Sequence, residues 1–416
     1  MPAAFGHNIV AAAGRPRSDG AIDPSPRPDL PARVFQRLAA FYAASFAVLG
    51  VYMQFFPVWL HDVGGLSHRQ VTEVQSGQIL ARTVAGPLWA QHVDRTGRPR
   101  RTLIALSALS LAAFATFALE PGYGALLLGC VLFGCVYPPM HPLTDNLALE
   151  AARAHGFRYP RVRLWGSVSF LVVIVAVGAL LERSPSALVF WSILALLLAT
   201  LAAALWLPRV RRAPNTAAGA PLGRLLRQPR FCAFLVAVAL LQGSHGGYYA
   251  LSTLHWRDHG IGEGVAGWLW AEGVLAEIVL FFAIRDAAER LRPTTLLLIG
   301  GAGAVLRWSA LALTVDPWAI AAVNWLHAAS FGCTYLGSLQ FLRRRVAEEL
   351  QASAQGLLGA ATSGLGMVCG TRLAGEVYER SGAGAFWAMA GLALAGALLA
   401  LWLRRPRPRP RPDALR

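Results

Sequence analysis

The sequence predicts an all-α membrane protein of twelve transmembrane helices in two pseudo-symmetric six-helix halves. Three observations predict it. Only 14% of the 416 residues are charged, against about a quarter in soluble domains, so much of the surface must face something other than water. Apolar stretches of about 20 residues, enough to cross a bilayer, recur along the whole length. Arginines concentrate in alternate loops, as a chain weaving through a membrane requires.

Each element follows in order. Residues 1–36 are rich in Pro, Gly, Ser and Arg and lack the apolar core of a signal peptide, so they read as a disordered tail. Spans are expected near 37–60, 71–91, 102–119, 124–147, 164–182 and 187–207, an N-terminal bundle over 37–207. Residues 208–229 form the longest internal polar stretch and read as a linker. A second bundle over 230–403 has spans near 230–256, 263–284, 294–313, 318–341, 355–378 and 384–403. The Arg/Pro alternation of 404–416 reads as an extended tail. Helices are the default spanning element because each satisfies its own backbone hydrogen bonds.

All 38 basic side chains are Arg. The tails and the loops after even-numbered spans carry 31, and the opposite side carries 4: Arg69, Arg183, Arg257 and Arg380. That bias places both termini in the cytoplasm and the protein in the cell inner membrane. The formal net charge is +16, but it sits in short loops, which argues against a nucleic-acid partner. Cys130, Cys135, Cys232, Cys333 and Cys369 lie in apolar segments with no His/Cys cluster around them, so no metal and no disulfide are expected.

The halves echo each other. Gly50, Tyr52 and Trp59 in span 1 recur at identical spacing as Gly247, Tyr249 and Trp256 in span 7, and "GQILAR" in span 2 parallels "GVLAE" in span 8. Parallel six-span halves related by an axis along the membrane normal are a transporter architecture.

Between spans 2 and 3, "HVDRTGRPRR" carries Asp94, Arg95, Gly97 and Arg98, which resemble the D-R-x-G-R core of the major facilitator superfamily loop motif. The Gly usual four residues before the Asp is Ala90 here. The stretches "PLTDNLA", "RVRLWGSVSF", "LLQGSHGGYYALSTLHW", "GVLAEI", "LRW" and "LHAASFG" resemble the phenylpropionate permease (3-phenylpropionic acid transporter) branch of that superfamily and, more distantly, lactose permease. The resemblance covers about 37–403 and implies the major facilitator fold, with a gating role for Asp94, Arg95, Gly97 and Arg98.

Arg82, Arg307, Arg372 and Glu277 lie within apolar spans. A mid-helix Arg costs about 2.5–3.5 kcal/mol on insertion scales, so each should pair, snorkel or face a wet cavity. Span 2 places Gln75, Gln78 and Arg82 on one face, beside Tyr52 and Phe56 of span 1. Together they are expected to hold an anion against an aromatic wall. Arg372 has Glu376 four residues on and reads as a helix-surface ion pair. The resemblance to lactose permease implies that Asp145 and Arg163 act on the substrate or a gate. It likewise implies that Glu277, Arg307 and His327 couple protons. That permease has a further acid one turn after the His, where Ser330 stands here, so Glu277 is the expected proton carrier. In span 7, Gln242, His245, Tyr249, Ser252 and Trp256 share one helical face. Gln242, His245 and Tyr249 are expected in the central cavity, with Tyr248 and Trp256 as aromatic surface. Gly359, Ser363, Gly366 and Gly370 read as small-residue helix packing.

The sequence reading is a proton-coupled permease, acting as a monomer without a cofactor. Its substrate is a small organic acid, aromatic acids included, or a polar solute such as a sugar or nucleoside. An exporter of the same fold and a non-transporting sensor are the rivals. An enzyme would need a nucleophile–base set or a metal cluster near one interface, and the sequence offers neither.

Overall fold

The computed structural model describes residues 31–119, 122–209, 223–283 and 290–405. Most of the expected N-terminal tail, linker and C-terminal tail therefore lies outside the described residues. The described parts of those segments are partly helical: helix begins at Pro31, and a short turn covers Gly223–Leu226.

Among the described residues, helix runs through each of the twelve expected spans, with breaks in some. The first half comprises α1 (Pro31–Asp62), α2 (His68–Thr96), α3 (Pro99–Ala115), α4a (Tyr123–Val136), α4b (Met140–His155), α5 (Tyr159–Leu181) and α6 (Ala187–Trp206). The second comprises α7a (Pro229–Gly243), α7b (Gly246–Asp258), α8 (Glu263–Ala283), α9 (Pro293–Leu313), α10a (Pro317–Asn324), α10b (Thr334–Arg345), α11a (Gln351–Gly359), α11b (Met367–Ser381) and α12 (Gly384–Leu403).

The breaks have local causes. Pro138 and Pro139 interrupt the fourth rod, since proline lacks the donor that continues a helix. The tenth and eleventh rods are joined by π-helical turns at Ala328–Cys333 and Ala360–Gly366. Ser67 caps α2 in a reciprocal box with Gln70, and Gly97 ends it at φ 61°, a left-handed conformation that suits glycine.

Among the described residues, nine helical segments are long and apolar enough to cross a membrane by length and composition. The second, tenth and eleventh rods are not among them, because polar residues or π turns interrupt their apolar runs. Leu88, Trp191, Leu198 and Trp268 stand exposed on the outside, a surface suited to lipid rather than water.

The two most extensive contacts between the halves pair α2 with α11b and α5 with α8, and α1 also packs on α7b. Counting six rods onward exchanges these pairs, as a twofold relation between halves requires. Both pairs pack closely: a Cβ on Gly375 would stand 1.8 Å from Thr72 Oγ1, and one on Gly267 would stand 2.8 Å from the Ile174 carbonyl. Within the second half, a Cβ on Gly370 would stand 1.9 Å from the Gly243 carbonyl. The small residues of α11 thus let backbones touch, although Gly359 faces open space.

Candidate functional site

A dense seal joins the halves at the end remote from the tails. Arg257 of α7b grips Asp62 of α1 with both terminal nitrogens, each at 2.5 Å, and Ser186 donates to the same carboxylate at 2.5 Å. His68 Nε2 lies 3.0 Å from Asp258. Burial pushes the His68 imidazole below its ordinary value, so near neutral pH this contact is a hydrogen bond rather than an ion pair. Arg372 reaches across to Glu73 of α2 at 2.8 Å, while Glu376 pairs with Arg69 at 3.3 Å and with Arg380. The pairing expected within one helix is thus replaced by a bond between halves, because the α2–α11b contact brings Glu73 within reach.

The central face of the first half carries two arginines. Arg82 donates from Nη2 to the Ser363 carbonyl in the second half at 3.0 Å. Asp145 accepts from Tyr42 at 2.5 Å and from Tyr159 at 2.9 Å, and lies 3.7 Å from Arg163 Nε. The Arg163 guanidinium sits 4.0 Å over the Phe46 ring. Phe56 is wholly buried and Tyr52 nearly so; they stack at 4.6 Å and pack with Phe114 and Phe133 in the half's own core. Phe56 of the expected aromatic wall is therefore core packing, while Tyr52, at the edge of that core, stays within electrostatic reach of Arg82. Gln78 is buried against Gly134 of α4a.

In the second half Arg307 is fully buried between the rings of Tyr248 and Trp308, at 4.2 and 4.7 Å. It donates to Asn324 Oδ1 at 3.0 Å and meets His327 Nδ1 at 2.9 Å. A guanidinium has donors only, so His327 Nδ1 must accept and its proton must sit on Nε2. That nitrogen faces Glu277 at 3.8 Å. Arg163 of the opposite half is within electrostatic reach of Glu277. Tyr249 stands among Arg82, Glu277 and Arg307, all within electrostatic reach. Tyr335 is within electrostatic reach of both Glu277 and Asp145.

The face of span 7 splits. The helix pauses at Ser244 and His245, and His245 turns into the second half's interior, 3.2 Å from Ser330 and edge-on to Trp308. Gln242 is buried beside that pause, and Trp256 packs on Tyr248. Of the three residues expected in the cavity, Tyr249 is the one placed among its charges. At the tail end, Asp94 lines a small cleft with Leu143 and Glu150 of α4b, and Arg98 stands at the start of α3 with Arg95 beside Gly97.

Residues 35–389 match the MFS_1 like family. The chain belongs to this family of the major facilitator superfamily and is a multi-pass membrane transporter. It is 30% identical over 364 residues to the probable 3-phenylpropionic acid transporter of Escherichia coli (strain K12), covering 86% of this chain and 94% of that protein. It is 29% identical over 351 residues to the maltose permease of Geobacillus stearothermophilus, covering 83% and 88%. The crystal structure of the nucleoside transporter NupG superposes with a TM-score of 0.80 at 17% identity, over 90% of this chain and all of the other, a likeness of fold.

Several site residues of this major facilitator protein escape sequence reasoning. Tyr42 and Tyr159 look like ordinary interfacial tyrosines until both bond Asp145. Asn324, which holds Arg307, is one turn before His327, and that spacing was its available signal. Glu272, in the same helix as Glu277, faces elsewhere.

Proposed function

We propose that the protein is a proton-coupled symporter of a small organic acid, with an aromatic acid as the favoured substrate. The observation that carries this reading is the position of Arg163. It lies at 3.7 Å from Asp145 and within electrostatic reach of Glu277 across the halves. A substrate carboxylate on Arg163 competes with a charged Glu277 for the same guanidinium. Binding the anion therefore favours the protonated form of Glu277, and protonating Glu277 favours the anion; the coupling is reciprocal. Proton and acid then travel together.

The assigned roles follow. Arg163 and Arg82 attract the carboxylate, with Asp145 and Tyr249 beside them and Tyr52, Gln78, Gln242 and His245 packed behind as support. Glu277 carries the proton, while Arg307 and His327 hold it in register. Rocking of the halves alternates access: the seal at Asp62–Arg257 opens as the tail end closes around the loop of Asp94, Arg95, Gly97 and Arg98. The arginine bias supports cytoplasmic tails, and the reading is completed by a monomer in the cell inner membrane. The phenylpropionate relative supports an aromatic acid, and the maltose permease relative supports a sugar as the second reading.

Uptake into proteoliposomes of aromatic acids, sugars and nucleosides, under an imposed proton gradient, tests the substrate class. An aromatic acid should accumulate. Glu277→Gln, a mimic of the permanently protonated state, should abolish that accumulation yet retain exchange at equal pH. Accumulation by this variant with normal proton flux would remove Glu277 from the coupling role.

A further inference from the structure

Glu272 lies outside the Glu277–His327 pair, although Tyr248 beside Arg307 is within its electrostatic reach. Glu277 is five positions further on, roughly 140° around the helix, so the two carboxyls leave α8 on different sides. Glu277 points inward; Glu272 opens into an apolar groove of about 1090 Å³ between the halves. Val172 and Ala176 of α5 contribute one wall, and Trp268 of α8 and Trp318 of α10a the other. Both indoles are uncovered, at 65% and 85% exposed. Among the described residues lining the groove, Glu272 alone is ionisable. Its one polar side-chain partner is Trp325.

Depth makes this carboxyl unusual. Glu272 is the tenth residue of a 21-residue helix, so it sits near mid-membrane on a face that opens sideways. An ionisable group in that position is costly and marks a functional site by default. The chemistry of the lining selects the partner. A carboxylate supplies the counter-charge, exposed indole faces attract cations, and the aliphatic walls accept an apolar body. An anion would meet the wrong charge, and a neutral lipid tail would leave the carboxyl unused.

We propose that this groove is a lateral binding site for lipophilic organic cations entering from the bilayer, with Glu272 as counter-ion and Trp268 and Trp318 as aromatic walls. The site does not depend on which solute the central cavity carries. Its walls belong to opposite halves, so an occupant stabilises the conformer in which they stand together and slows the rocking.

The test uses the full chain in nanodiscs and the binding of radiolabelled tetraphenylphosphonium, with empty nanodiscs as background. Saturable binding is expected, falling by about tenfold or more in Glu272→Gln. Ala176→Trp fills the groove from the opposite wall with the carboxyl intact, and should abolish binding as well. It carries the test if Glu272→Gln does not fold. Glu277→Gln should bind like the wild type. Wild-type binding no greater than that of empty discs would overturn the proposal, as would full binding by both groove variants. Loss in Glu277→Gln alone would also overturn it, because the cation would then occupy the central cavity.

Discussion

Replacing Asp62 by Asn should loosen the seal that closes the end remote from the tails. The wild-type carboxylate is held by two guanidinium nitrogens at 2.5 Å, with both side chains only about a quarter exposed, 24% for Arg257 and 26% for Asp62. Charge centres about 4 Å apart attract by about 4 kcal/mol at an effective dielectric near 20. Desolvation takes back much of this, leaving about 1.5–3 kcal/mol for a charge-assisted pair. Asn keeps the shape but loses the charge and turns an amide N–H toward a donor. Arg257 retains Glu263 at 3.8 Å, and His68–Asp258 and Arg372–Glu73 persist, so the seal weakens rather than disappears. At about 1.4 kcal/mol per decade, the equilibrium between open and closed forms should move by roughly ten- to hundredfold. Spin labels at Arg183 and Ser381, exposed at that end of opposite halves, would report it in a cysteine-free background. The longer-distance population should grow in Asp62→Asn, and the exchange Asp62→Arg with Arg257→Asp should reverse it. An unchanged distance distribution in Asp62→Asn would refute the assignment of the seal.

Three further outcomes are expected. Arg163→Gln should weaken binding of an acid by about 1.5–3 kcal/mol, the range for a hydrogen bond to a charged group, and barely alter that of its amide; equal loss for both would make Arg163 structural. Asn324→Ala leaves an Arg307 N–H and the Leu269 carbonyl without the 3.0 Å bonds they now make, which should cost about 1–3 kcal/mol. An unchanged thermal unfolding midpoint in detergent would count against that network. Single cysteines at Ser18 and Asp413, in a cysteine-free background, should resist an impermeant thiol reagent in intact cells, and labelling of either would reverse the orientation.

What the sequence by itself determined is what periodicity and composition encode locally. Spans could be placed because twenty apolar residues in a row have one stable fate in a bilayer. The repeat of Gly50, Tyr52 and Trp59 as Gly247, Tyr249 and Trp256 pointed to paired halves. Arg82, Arg307 and Glu277 could be singled out because charge inside an apolar helix is costly wherever it points. Partners are another matter. Arg307 meets His327 and Asn324 from a neighbouring rod, so its neighbourhood was partly legible. Glu277 lies within electrostatic reach of Arg163, more than a hundred residues away in the opposite half, because α5 packs on α8. Arg372 bonds Glu73 rather than Glu376 because α2 and α11b touch through Gly375. Helical spacing puts the face of span 7 in one stripe, but the pause at Ser244–His245 turns His245 into the bundle and leaves Tyr249 among the cavity's charges. Glu272 and Glu277 are five residues apart in one helix, yet one serves the interior and the other a lateral groove. Helical geometry states the angle between them; which angle is inside is decided by how two halves pack.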